Sequence, residues 1–214
     1  EKPTEISILL SRGALSGLPA SPNPDNPEGA WSYLLPMPGH ESNTGFRTVV
    51  IDWMAEGHPP SDIYTVPHFD FHFYAIGAQD LEQVKFGGAD DPAASLADSS
   101  LLPEGYQVVA ETAVDKMGVH AIDTGAADFH GEPFTATFIY GYYDDKLVFL
   151  EPLVAHDFLL RKPNFAAAVK TPAHISLGGH YPTSYRVRYD PADQAWRISL
   201  TGLEHRADVA DSAG

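Results

Sequence analysis

Residues 67–74, which read PHFDFHFY, alternate strictly between two kinds of side chain. The phenylalanines occupy one set of positions, and His68, Asp70 and His72, which titrate or bind metal ions, occupy the other. Because every second side chain of a β-strand points to the same face, the stretch predicts a strand with one aromatic and one ionisable face. If the ionisable face met solvent, this would be an ordinary amphipathic strand with its phenylalanines in the core.

Eight segments of the chain have β-strand character and end in turn residues. They are residues 5–13, 46–54, 67–76, 106–114, 134–143, 146–154, 184–190 and 195–203. Short strands separated by turn residues are typical of an antiparallel barrel or sandwich. We predict a mainly β fold, a single antiparallel β-barrel of calycin or cupin type that forms one domain over residues 1–214.

The remaining segments predict loops, turns and short helices. They are a loop or cover segment in part of 1–45, one or two short helices in 77–87 and 155–170, and a frayed tail at 207–214. Asp144 and Asp145 predict a hairpin turn between two of the strands, and residues 190–192 predict another.

The composition limits the partners and the compartment. The chain has 29 acidic and 13 basic residues, a formal net charge of -16 and a pI near 4.8, which argues against nucleic acid and anionic membranes as partners. It has no apolar run of about 18 residues, so we expect no membrane insertion. Because it begins at Glu1 without an initiator Met, we expect export to the periplasm or the extracellular space after signal-peptide removal.

A metal site is the leading interpretation of the ionisable face. The chain has ten histidines and no cysteine, so a metal ion would be held by nitrogen and oxygen atoms. His120 stands in an apolar segment, and Glu151 ends an apolar run, where a buried carboxylate needs a partner. The predicted ligands are His68, His72, His120 and Glu151, with Asp70 and His58 as orienting residues or alternative ligands.

The spacing of His68 and His72 limits this ligand set. In a straight strand their Cα atoms lie about 13 Å apart, so one ion reaches both only if the strand bends or bulges. Otherwise Asp70 pairs with one of the two histidines. Imidazole and carboxylate suit Zn, Mn, Fe, Ni and Cu alike, so the pattern predicts a divalent transition metal without identifying it.

Four blocks of the sequence also resemble a known family. They are residues 52–74, 117–123, 137–152 and 181–190. Together they resemble a family of bacterial proteins, expected to be exported and of uncharacterised function, that carry the PHFDFHFY signature. The resemblance implies a calycin-like β-barrel domain and, in some members, homo-oligomers. His68, Asp70, His72, His120 and Glu151 fall inside these blocks, but the family implies no settled reaction.

Three functions follow from these observations. The first is a metal-binding barrel whose ion could act as a Lewis acid, with His58 or Asp70 nearest for proton transfer. The second is a barrel that carries a small hydrophobic ligand, in which Asp70 accepts protons from His68 and His72 in a buried network. The third is a structural or stress-response homo-oligomer. Motifs of the GxSxG, HExxH, GxGxxG and phosphate-loop types are absent from the sequence.

Overall fold

The computed structural model describes residues 2–37, 44–88 and 90–207. The strands are β1 (Glu5–Leu10), β2 (Trp31–Pro36), β3 (Thr48–Met54), β4 (His68–Tyr74), β5 (Tyr106–Val114), β6 (Gly118–Asp123), β7 (Ala136–Tyr143), β8 (Lys146–Ala155), β9 (Asn164–Ala168), β10 (Gly179–Tyr181), β11 (Ser184–Asp190), β12 (Ala195–Thr201) and β13 (Glu204–Arg206). The α-helices are α1 (Ala78–Leu81) and α2 (His156–Leu160). Short 3-10 helices lie at Arg12–Leu15, Pro92–Ala94, Ser99–Leu101 and Ala127–His130.

The strands form three antiparallel sheets. The largest has the order β2-β3-β4-β8-β7-β6-β5, the second the order β1-β12-β11-β9, and the smallest pairs β10 with β13. The predicted mainly β, antiparallel fold with two short helices is therefore confirmed. Within the described ranges no sheet closes on itself, so the single barrel stays a prediction.

The aromatic face of β4 packs in the core between the two larger sheets. Phe69, Phe71 and Phe73 are at most 3% exposed. They join one hydrophobic cluster with Val187 of β11 and Ile198 of β12 from the opposite sheet. The alternation of β4 therefore directs its three phenylalanines to the core, so its ionisable side chains lie on the other face of the seven-stranded sheet.

Each of the eight predicted strand segments contains a strand, and five further strands, β2, β6, β9, β10 and β13, lie outside them. β2 lies inside the predicted N-terminal loop, where it pairs along β3 from Trp31 opposite Trp53. Residues 164–168, predicted as helical, form β9 instead. Proline cannot continue a helix, so Pro163 separates α2 from the next segment, which adds to the free edge of β11.

The hairpin between β7 and β8 sets the register of the candidate site. Asp144 and Asp145 both adopt positive φ angles, at 50° and 59°, as the predicted two-residue turn requires. The pairing then places Ile139 opposite Glu151.

Some predictions fall outside the described residues. These include the frayed tail beyond residue 207 and residues 38–43 of the predicted cover segment. None of the helices in the described part of the chain is long and apolar enough to cross a membrane.

Candidate metal centre

The ionisable face of β4 is as buried as its aromatic face. His68 is 0%, Asp70 5% and His72 1% exposed. The neighbouring strands add Asp52 of β3, directly opposite Asp70, and Glu151 of β8, which are 2% and 1% exposed. Three buried carboxylates this close together are costly unless positive charge balances them.

One cluster of donors, the Glu151 triad, consists of His72, His120 and Glu151. The strand order β4-β8-β7-β6 brings the three residues together across the sheet. The Nε2 atom of His72 lies 3.6 Å from Oε1 of Glu151, and Nε2 of His120 lies 3.8 Å from Oε2. One ligand atom from each residue falls within 4.8 Å of the others, which is close enough for all three to hold one metal ion.

A second cluster, the Asp70 triad, consists of His58, His68 and Asp70. His68 and Asp70 belong to β4, and His58 comes from the loop before that strand. Nε2 of His68 lies 3.1 Å from Oδ1 of Asp70, and Nε2 of His58 lies 3.7 Å from Oδ2. One ligand atom from each of these three residues also lies within 4.8 Å of the others, close enough to share one ion. Each triad therefore offers two imidazoles and one carboxylate.

Backbone carbonyls fix the orientation of three of the four imidazole rings. Nδ1 of His58 contacts the Pro59 carbonyl at 2.6 Å and Nδ1 of His68 contacts the Val66 carbonyl at 2.7 Å. Nδ1 of His120 contacts the Thr112 carbonyl at 3.0 Å. A carbonyl only accepts, so each Nδ1 donates its hydrogen, and in the neutral ring the lone pair is on Nε2.

His72 is oriented by a carboxylate instead. Its Nδ1 lies 3.2 Å from Oδ2 of Asp52, on the side of the ring opposite Glu151. A carboxylate behind a ligating histidine is a frequent arrangement in metal sites, because it holds the ring and makes the other nitrogen more basic.

The atoms that face one another inside the triads lack hydrogen bonds. They include Nε2 of His68, Oδ1 of Asp70, Nε2 of His72 and Oε2 of Glu151. A neutral imidazole nitrogen and a carboxylate oxygen both present lone pairs, so they repel each other unless a proton or a metal ion lies between them. Two donors bound to one ion at about 2.0–2.2 Å with tetrahedral angles lie roughly 3.3–3.6 Å apart. The observed separations of 3.1 to 3.8 Å bracket that range.

The electrostatic environment differs between the members of the Glu151 triad. Burial, and then the charge of His72, lowers the pKa of His120 to about 4, so this imidazole is neutral at neutral pH. Burial opposes the protonation of His72, but Glu151, Asp52 and Asp70 together raise its pKa to about 9. Burial raises the pKa of Glu151 to about 8.

The Asp70 triad has the opposite balance at its carboxylate. Burial opposes ionisation of Asp70, but the neighbouring His68 and His58 outweigh it and lower the pKa of this carboxyl. Asp70 is therefore an ionised, buried oxygen donor at neutral pH.

Both triads face a cavity of about 380 Å³. Its wall includes Met54, Tyr64, Val109, Ile122, Phe129 and Ile139. An ion held by three protein donors keeps a coordination position for a further ligand, as in catalytic zinc sites. The cavity allows a small molecule to reach that position.

The structure divides the predicted ligand set. His72, His120 and Glu151 lie together as predicted, whereas His68 lies with His58 and Asp70. The strand does not fold back on itself, so positions four residues apart serve different clusters. Asp70 contacts His68 and His58, and not His72 as the network alternative assumed. That these residues bind metal stays a prediction.

Sequence reasoning missed Asp52. The signal in the sequence was a carboxylate inside the apolar strand segment 46–54, because a buried carboxylate needs a partner. Only the register, which sets Asp52 opposite Asp70, shows which residues it serves.

Comparisons with protein-family models, with curated proteins and with solved structures found no match. The resemblance to the PHFDFHFY family, the export and the homo-oligomer therefore stay predictions. The assignment of the site rests on its geometry.

Proposed function

We propose that this protein binds two divalent transition metal ions, one in the Glu151 triad and one in the Asp70 triad. The observation that carries the proposal is the shared orientation of the four imidazoles. In three rings Nδ1 donates its hydrogen to a backbone carbonyl, and in His72 Nδ1 lies 3.2 Å from a carboxylate oxygen of Asp52. In all four rings Nε2 faces a carboxylate across 3.1 to 3.8 Å. Pre-oriented Nε2 atoms converging on carboxylate oxygens are the donor arrangement of a metal site.

The charge of the site also supports the proposal. Asp52, Asp70 and Glu151 are buried together, and none of the described residues that line the cavity is a lysine or an arginine. Two divalent ions would offset these carboxylates and use the nitrogens that make no hydrogen bond. A network of protons alone leaves separations of 3.6 to 3.8 Å, which are too long for hydrogen bonds.

The donor set favours zinc or iron among the predicted metals. Two histidines and one carboxylate form the catalytic zinc sites of several hydrolases and the facial triad of non-haem iron oxygenases. Both kinds of ion bind three protein donors and keep positions for water or substrate. A Lewis acid at the base of a cavity is the chemistry that such an ion supplies.

Metal content tests the proposal directly. We expect about two Zn²⁺ or Fe²⁺ ions per chain after equilibration with either metal, anaerobically for iron, and removal of the excess, measured by inductively coupled plasma mass spectrometry. Glu151→Gln keeps the side-chain volume but removes the charge, and it should abolish binding of one ion. Asp70→Asn should abolish binding of the other, and the two changes together should abolish both.

His205→Ala is the matched control. His205 is an exposed histidine on β13, away from both triads, and its removal should leave about two ions per chain. Equal metal content in Glu151→Gln, Asp70→Asn and His205→Ala would contradict the proposal. Folded protein without metal in every sample would instead identify the two clusters as a buried proton network.

A further inference from the structure

We propose that the cavity beside the two triads binds a neutral, mainly apolar small molecule that coordinates a metal ion through one polar head group. This inference rests on the proposed metal binding and adds the chemical class of the ligand. It follows from three properties of the cavity: where its polar groups lie, which charges its rim carries, and how large it is.

The cavity wall combines a few metal-binding side chains with a larger apolar part. Four of the six triad residues line it: His58, Asp70, His72 and His120. The rest is mostly apolar and includes Ala30, Met54, Val109, Val114, Met117, Ile122, Phe129 and Ile139. Ala30 precedes β2, and the others come from β3, β5, β6, β7 and the loops between them, so they surround a bound molecule from several sides. Such a wall favours a ligand whose body is hydrocarbon and whose hydrogen-bonding groups are few.

The charged groups of the cavity argue against an anionic ligand. Glu28 and Glu111 are solvent-exposed lining residues, so they stand where a ligand enters. The described part of the lining offers no lysine or arginine to pair with a ligand carboxylate or phosphate. An ammonium group meets a different cost, because it has no lone pair for a metal ion and must give up a proton before it can bind one. A neutral head with a lone pair for the metal avoids both costs.

The size of the cavity sets the remaining limit. Its volume of about 380 Å³ is near the lower end of the range of about 300–1,000 Å³ that small-molecule sites occupy. A medium-chain or single-ring compound fits this volume, whereas a peptide or a polysaccharide does not.

Hydroxamic acids are suitable probes of chain length because the same head group can carry chains of different length. Each binds a metal ion after it loses its proton to the solvent, so a comparison within the series reports the chain and not the charge of the head group. The protein is loaded with Co²⁺, whose visible absorption reports a new ligand, and its metal content is measured on the same sample. Octanohydroxamic acid should bind at least about 50-fold more tightly than acetohydroxamic acid, because each buried methylene contributes roughly fourfold. Octanamide, whose head group stays neutral, should bind more tightly than octanoate, which has the same chain length but is anionic.

Two sets of variants locate the effect in the cavity. Ile122→Ser places a polar group in the apolar wall and should reduce the preference for the long chain at least fivefold, while acetohydroxamic acid still binds and shows that the metal site is intact. Leu9→Ser, at a residue of β1 that is 54% exposed and outside the cavity, should leave the preference unchanged. Glu28→Gln together with Glu111→Gln should strengthen octanoate binding severalfold.

The outcomes separate this inference from the proposed function. If cobalt binds but chain length has no effect, the apolar ligand is ruled out and metal binding stands. Octanoate binding as tight as that of octanamide in the unaltered protein would overturn the preference for a neutral molecule. Absence of bound cobalt would remove the metal proposal and this inference together.

Discussion

At the scale of single residues, Asp52 determines how His72 meets a metal ion. Its Oδ2 lies 3.2 Å from Nδ1 of His72, and Glu151 lies on the other side of the same ring. Asp52→Asn keeps the size of the side chain but removes the charge behind the imidazole. We expect metal affinity at the Glu151 triad to fall about 10–100-fold, as is typical when such a partner is lost. A competition titration with a chromophoric chelator measures this change.

The control for Asp52 is Asp193→Asn. Asp193 forms an ion pair with Arg197, its side chain is 52% exposed, and it lies outside the cavity. This variant should bind both ions with unchanged affinity. If Asp52→Asn also keeps full affinity, then Asp52 does not orient His72 for a metal.

Residue types and spacing predicted most of this site, but not its division. The four predicted donors all lie in the two triads, because buried ionisable side chains are stable only beside partners of opposite charge or beside a metal ion. The predicted set placed His68 and His72 on one ion, which their i and i+4 spacing allows only if the strand bends or bulges. Asp52 could not be assigned from sequence, since its partners depend on the register between β3 and β4.

At the scale of elements, a close contact between β7 and β8 supports the Glu151 triad. The ring of Phe149 lies over Gly141, where a Cβ atom would overlap it. The same ring contacts His72 with its centroid at 4.8 Å and His120 at 5.3 Å. Phe149 is fully buried, so it cannot move aside without displacing one of the two histidines.

Gly141→Ala should therefore weaken one metal site and spare the other. We expect the Glu151 triad to lose at least about tenfold in metal affinity and the protein to lose about 1–3 kcal/mol of unfolding free energy, the usual range for overpacking a core. Asp70→Asn in the same background isolates the Glu151 triad for the titration. Gly13→Ala is the control, because a Cβ atom there would meet nothing within 4 Å. Identical affinities in the two alanine variants would contradict the proposed role of Phe149.

Strands marked by alternation or by a long apolar run were predictable from sequence. Strands whose conformation depends on pairing with a neighbouring strand were not. β4 and β8 stood out because alternation or a long apolar run marks them. β9 has an alanine-rich sequence that suits a helix equally well, and its strand conformation depends on pairing with β11. The edge strand β2 likewise depends on β3, so its Pro- and Gly-rich surroundings predicted a loop.

At the scale of the whole molecule, the seven-stranded sheet supplies residues both to the hydrophobic core and to the candidate metal site. One face of β4 holds phenylalanines in the core, and the other face holds His68, Asp70 and His72, which contribute to both triads. Any change in the charge of those groups therefore acts on the stability of the fold as well as on metal binding. Measuring stability against pH, with and without metal, separates the effect on the fold from the effect on metal binding.

In the metal-stripped protein, the native state holds extra protons at neutral to alkaline pH. The pKa of His72 is raised from its ordinary 6.5 to about 9, and that of Glu151 from 4.5 to about 8. A raised pKa adds stability below the ordinary value, and this stability is lost as pH rises through the native value. Glu151 therefore lowers the unfolding free energy as pH increases from 4.5 to about 8, and His72 does so from 6.5 to about 9. His120, whose pKa is lowered to about 4, has its effect only as pH falls below 6.5.

Bound metal should reverse this slope. An ion takes the place of the protons on the same donors, so its affinity and the stabilisation it confers increase from pH 6.5 to 9. Thermal or urea unfolding at several pH values, with chelator and with saturating Zn²⁺, measures both slopes. Glu151→Gln removes one of the titrating groups and should flatten the slope of the metal-stripped protein. If the stabilisation by Zn²⁺ does not change over this range, the ion binds somewhere other than the triads, because surface carboxylates are fully ionised throughout it.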